Sequence, residues 1–217
     1  MNASATARNL VGPLVRWGYR LRVQGAHLCP RRGPLLVVAP HLGFLDPTVI
    51  ATCLPRPVEV LVDPGALTTV GARIPGRIVV SEDDPVGALH EACRRLGEGA
   101  AVGAWTGDGR AAAAGYLAVR SAAPILPVAV FGGSGRHPGD PPRWRATLDV
   151  YVGEPFSLPA VADAEPLDPL ARSTVLRAAE LIRQRVADHA AAASVRSGRF
   201  DGVALTRDGA APDNGAL

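Results

Sequence analysis

The chain has no lysine, so all 23 of its basic residues are arginine. Arginine's planar fork suits phosphate and carboxylate recognition, yet the accompanying wealth of Ala, Gly and Pro assigns the excess to coding bias. Cysteine is scarce as well. Cys29, Cys53 and Cys93 are widely spaced, odd in number and form no Cys-x-x-Cys pair. That excludes a disulfide framework or a zinc site and reads as buried or free thiols in a reducing cytosol. No apolar run approaches the roughly 18 residues of a membrane-spanning helix. The N-terminus lacks the apolar core and small-residue cleavage site of a signal peptide. A cytoplasmic protein is expected, with no metal, no cofactor and no nucleic-acid partner.

What is present suits one domain. The chain has 217 residues, 47% of them hydrophobic, a net charge of +3 and a sequence pI near 9.1. That is enough to bury a single sizeable core. Between Arg8 and Val23, apolar residues recur at helical spacing through Leu10, Leu14, Trp17 and Leu21. Arg16 and Arg20 lie on the opposite side, and Trp17 and Tyr19 suit an interface, so residues 1–24 read as an amphipathic helix able to lie on a membrane surface.

Strand and helix signals then alternate. Strands are predicted at Leu35–Ala39, Val58–Val62, Gly76–Val80, Ala100–Trp105, Ile125–Phe131 and Ala146–Val152. Helices are predicted from Pro47 to Cys53, Pro85 to Leu96 with Gly97 as a stop, Gly115 to Ser121 and Leu170 to Ala190. This alternation predicts an α/β fold, a single domain over residues 25–193 with a largely parallel central sheet flanked by helices. Residues 194–217 turn polar and Gly-rich and read as a disordered tail.

The most informative residues are His41 and Asp46. The run Leu35-Leu36-Val37-Val38-Ala39 reads as a buried strand that ends at Pro40-His41, and Asp46-Pro47 looks like a helix start with Asp46 as N-cap. The imidazole then lies in a strand-to-helix loop and the carboxylate at the helix mouth. A histidine beside a carboxylate is a general base; a simple cap beside a loop histidine has the same spacing. Gly132-Gly133-Ser134-Gly135-Arg136 lacks the last glycine of a hydrolase's Gly-x-Ser-x-Gly, and no cysteine carries a Cys–His signature.

The segment from Gly33 to Pro47 resembles the first motif, His-x4-Asp, of the glycerolipid (1-acylglycerol-3-phosphate, or lysophosphatidic acid) acyltransferases. Leu21–Gly25 is similar to that family's first strand. Ordered blocks of resemblance run over about residues 20 to 155. Ala123–Val130 matches the fourth motif well, and the middle blocks depart. In the second, Gly76–Glu82, the family's arginine position is held by Glu82, with Arg73 and Arg77 as the nearest replacements. In the third, Trp105-Thr106-Gly107-Asp108-Gly109-Arg110, the arginine remains as Arg110, the glutamate has become Gly107, and a downstream basic position is Ala114.

The resemblance implies transfer of a fatty acyl group from acyl-CoA or an acyl carrier protein to a hydroxyl or amine of a lipid acceptor. In it His41 is the base and Asp46 its partner, and Gly107, Asp108, Gly109, Arg110, Arg73 and Arg77 surround the acceptor or the oxyanion. It also implies contact with the cytoplasmic face of a membrane. The rival is a non-catalytic acyl- or lipid-binding protein on a decayed acyltransferase fold.

Overall fold

Five consecutive apolar residues, Leu35–Ala39, form strand β2, and all five are buried. A strand alternates its side chains between two faces, so both faces of this one must be covered. The computed structural model describes residues 13, 15–40, 43, 45–62, 76–81, 83–107, 110–135, 140–158 and 171–198. Among these residues, seven strands form one sheet: β1 (Arg20–Gln24), β2, β3 (Val58–Val62), β4 (Arg77–Val79), β5 (Ala101–Trp105), β6 (Ile125–Phe131) and β7 (Thr147–Val152). Their order is β1-β7-β6-β2-β5-β3-β4. The strands β6-β2-β5-β3-β4 are mutually parallel, β7 is antiparallel to β6, and β1 runs parallel to β7. The expected α/β domain with a largely parallel sheet is present.

Among the described residues, four helices cover the two faces: α1 (Asp46–Cys53), α2 (Pro85–Gly97), α3 (Ala111–Ser121) and α4 (Arg172–Ser197). Leu35, Val37 and Ala39 point into the cluster that contains Val49, Ile50 and Ala51 of α1 together with Val15. Leu36 and Val38 point into the opposite cluster with Ala92, Leu96, Leu117 and Ile182 from α2, α3 and α4. Every residue of α1 is buried, as befits a helix without a polar face.

The structure corrects several boundaries. Residues 15–18 are helical, but Arg20–Gln24 is strand β1, paired in register with Thr147–Tyr151. Leu21 and Val23 therefore face the core by strand alternation rather than helical spacing. Helix α2 includes Gly97, and the left-handed residue beyond its end is Gly99, with φ 80°. Helix α3 starts at Ala111, and α4 runs on to Ser197 because Ala190 and Ala193 pack beneath Phe131 and Tyr151. The rest of the expected tail, 199–217, and residues 1–12 lie outside the described residues.

Candidate active site

The parallel strands β2, β5 and β6 lie side by side and end together, and in such sheets the crevice beyond the carboxyl ends is where ligands bind. Backbone bonds tie their exit loops to one another. The Thr106 N–H, leaving β5, donates to the Ala39 carbonyl that ends β2 (3.1 Å), and the Leu45 N–H donates to the Gly133 carbonyl beyond β6 (3.4 Å).

Asp46 stands where the β2 and β6 loops meet. Its amide donates to the Gly43 carbonyl at 3.2 Å, and its Oδ2 accepts from the Gly43 N–H at 2.8 Å. The expected N-cap role is thereby corrected. Asp46 is the first residue of α1, no side chain caps that helix, and the carboxylate turns back to brace the loop. It does so almost entirely out of water, at 3% exposure.

Two glycines make room for it. A β-carbon at Gly43 would approach the Gly133 carbonyl carbon to 2.6 Å and Asp46 Oδ1 to 2.7 Å, and one at Gly133 would collide with Asp46 Oδ1. Only residues without side chains let the two loops close over the carboxylate. The sequence reading names both, Gly43 within the first motif and Gly133 within the Gly132–Arg136 stretch, and gives neither a role at the site. The readable signal was a glycine pair directly after the seven buried residues of β6. Ser134, the hydrolase candidate, is exposed beyond that pair.

The β5 exit loop supplies the next group. The Arg110 N–H donates to the Gly107 carbonyl at 3.0 Å, which closes a turn directly before α3. Both residues are half-buried. Ala114 is fully buried in α3, so that position presents nothing to solvent. Arg77 is exposed on the edge strand β4, separated from β2 by β3 and β5, roughly 14 Å at the usual strand spacing. The structure thus seats Asp46 where the β2 and β6 exit loops meet, puts Gly107 and Arg110 on the exit loop of the adjacent strand β5, and leaves Arg77 at the sheet edge. His41, Asp108, Gly109, Arg73 and Glu82 lie outside the described residues.

The cysteines are poorly suited to nucleophilic work. Burial pushes the Cys53 thiol up to about 11 and raises those of Cys29 and Cys93 as well, whereas a reactive cysteine needs a lowered pKa.

No protein-family profile matches the chain, and no curated protein does. Among solved structures, it is similar to the 1-acyl-sn-glycerophosphate (LPA) acyltransferase PlsC from Thermotoga maritima. The TM-score is 0.59 at 18% identity, over 85% of this chain and 78% of that one. At such identity the likeness is one of fold.

Proposed function

We propose that this chain is an acyltransferase that moves a fatty acyl group from acyl-CoA or acyl carrier protein to a hydroxyl, or an amine, of a lysophospholipid-like or other lipid acceptor. The observation that carries the reading is the buried Asp46 carboxylate, braced by Gly43 at the junction of the exit loops, on a fold shared with a lysophosphatidic acid acyltransferase. His41 precedes it by five residues in the sequence.

The chemistry assigns each group a task. Asp46 favours the imidazolium of His41 and fixes its tautomer. His41 takes the proton of the acceptor hydroxyl as its oxygen attacks the thioester carbonyl. The C–O bond forms, the C–S bond breaks, and the leaving thiolate recovers the proton from the imidazolium. The oxyanion is met by N–H groups of the Gly107–Gly109 loop or by Arg110. No metal or cofactor enters these steps.

The acceptor is proposed to differ from lysophosphatidic acid. A phosphate needs converging arginines or N–H groups, and here Glu82 and the buried Ala114 stand at two positions that are basic in the family. Arg73 is the remaining candidate for an acceptor's charge, since Arg77 stands at the sheet edge. The site of action is proposed to be the cytoplasmic face of a membrane, in phospholipid metabolism.

The test is thiol release from long-chain acyl-CoA, or from acyl carrier protein, with and without lysophosphatidic acid. Release that vanishes in His41→Ala supports the reading, and its response to the lysolipid identifies or excludes that acceptor. Acyl binding without thiol release from either donor would overturn it in favour of a non-catalytic lipid-binding protein.

A further inference from the structure

Two of the three tryptophans stand in the open. Trp17 is 74% exposed and Trp144 59%, although they touch each other edge to face with ring centroids 5.0 Å apart. Tyr19 lies beside Trp144 at 6.2 Å. The cluster is built from segments remote in sequence. The Arg145 N–H donates to the Gly18 carbonyl (2.7 Å) and the Arg20 N–H to the Ala146 carbonyl (2.9 Å), which joins the chain before β1 to the chain before β7.

The display is held under backbone strain. Arg145 adopts φ 60°, a conformation uncommon for a residue with a long side chain, in a turn closed by the Ala146 N–H on the Arg143 carbonyl (2.9 Å). Strain of this kind persists where the surroundings enforce it. Trp144 stands exposed in this turn between two arginines.

Arginines adjoin the cluster on both segments. Arg143 and Arg145 flank Trp144, and Arg20 follows Tyr19. All three are exposed and form no ion pair among the described residues. Of the acids nearest in sequence, Asp149 is buried and Asp140 half-buried. Amphipathic aromatic rings beside unpaired arginines match the headgroup region of an anionic bilayer, where rings sit at the interface and cations meet lipid phosphate.

The strand directions place this surface. Because β7 is antiparallel to β6, its first residue lies at the end where β6 finishes, and Arg20 opens β1 level with it. The aromatic cluster therefore stands at the same end of the sheet as the Asp46 junction, beyond the strand next to the one whose loop carries Gly133.

The geometry points to Trp17, Tyr19 and Trp144, with Arg20, Arg143 and Arg145, as a platform that docks the chain on an anionic lipid bilayer with the Asp46 end of the sheet toward the membrane. The acyl-transfer reading explains why a lipid surface would meet that end; the platform itself rests on the exposed rings of Trp17 and Trp144 and on the arginines, with Tyr19 half-buried beneath them.

The experiment uses the full chain with vesicles of phosphatidylcholine alone, or of equal parts phosphatidylcholine and phosphatidylglycerol, and no acyl donor. The wild type should sediment with the anionic vesicles, less so at high salt, with a blue shift of tryptophan emission. Trp17→Ala/Trp144→Ala should lower the partition at least about tenfold, a loss of about 1.4 kcal/mol, with an unchanged melting curve. Arg143→Gln/Arg145→Gln should weaken binding to anionic vesicles only. Val195→Ser, at an exposed position on α4, should change nothing.

Failure to bind either vesicle, equal binding to both, or wild-type binding by the tryptophan double variant would overturn the platform. So would a lipid-free dimer that the double variant abolishes, since the face would then be a self-interface. Vesicle binding by a chain that never releases thiol would count against acyl transfer alone. Turnover of a soluble short-chain acceptor by a chain that ignores vesicles would count against the platform alone.

Discussion

Gly133, on the loop leaving β6, packs so closely on the Asp46 carboxylate that a methyl group at its α-carbon would collide with Oδ1. The two belong to loops after different strands, so the position of the carboxylate depends on how β2 and β6 end relative to each other. Gly133→Ala should push Asp46 off its place while keeping most of the fold, since the collision is with a side chain. Thioester turnover should fall about ten- to hundredfold with little change in melting temperature, and the same substitution in a His41→Ala background should add nothing. Full activity in Gly133→Ala would mean that the placement of Asp46 is irrelevant to turnover. Gly43→Ala is the contrasting case. Its clash is with the Gly133 backbone at 2.6 Å, and both stability and turnover should drop.

The opposite end of the sheet is held by a buried cation. Arg56, between α1 and β3, donates to the carbonyls of Gly33 (2.7 Å), Gly99 (2.7 Å) and Pro30 (3.4 Å), which lie just before β2 and β5. Burial lowers its pKa from the usual arginine value. One guanidinium thus ties the starts of three neighbouring strands. Arg56→Met should cost about 2–4 kcal/mol in a denaturant titration, and Arg56→Lys should recover only a fraction of that, because one ammonium cannot match the fork. Turnover per folded molecule should stay at the wild-type level, as this end of the strands lies away from Asp46.

The central strands were legible because burial on both faces leaves continuous apolar runs: β2, β5 and β6 fall within a residue of their expected limits. The N-terminal segment was misread where two periodicities overlap. Leu21 extends the helical stripe of Leu10, Leu14 and Trp17, yet with Val23 it also gives a strand alternation, and the pairing that decides for the strand is with Thr147–Tyr151, far along the chain. Asp46 was read as a cap from its local setting. Its actual role depends on Gly43 and Gly133, and no local rule announces a contact between two loops. The extension of α4 was hidden for a similar reason. Alanines give little amphipathic signal, yet Ala190 and Ala193 lie against Phe131 and Tyr151.

Gly115 follows Ala114, the position that is basic in the family, and its structural role is one of packing. A β-carbon there would meet the Val175 carbonyl oxygen at 2.5 Å, the Ala179 nitrogen at 2.8 Å and the Ala179 β-carbon at 2.9 Å, so α3 and α4 cross with their backbones nearly touching. Gly115→Ala would normally favour a helix by up to about 1 kcal/mol. Here the added methyl must push α3 and α4 away from each other, and we expect a net destabilisation of about 1–3 kcal/mol, read from the urea midpoint. A stabilised variant would show that the two helices are not packed this tightly.

His189 on α4 gives stability a specific pH dependence. Its Nε2 lies 3.0 Å from the Tyr151 carbonyl oxygen, and its ring fills the space beside Gly153. Burial is the main cause that lowers its pKa below the usual histidine value; the Tyr151 carbonyl opposes this, and Arg196 adds to the lowering. The unfolded chain therefore takes up a proton here more readily than the folded one. Stability is full well above the unfolded histidine pKa of about 6.5 and falls as pH drops below it, until the folded pKa is passed. Between pH about 7.5 and about 5.5, the melting temperature of the wild type should fall about 2–4 °C more than that of His189→Gln, which keeps a donor for the Tyr151 carbonyl and cannot titrate. Parallel pH profiles for the two proteins would remove His189 as the source of the dependence. A steeper fall in the variant would mean that the folded state holds the protonated ring more tightly than the unfolded chain does, the reverse of what its burial dictates.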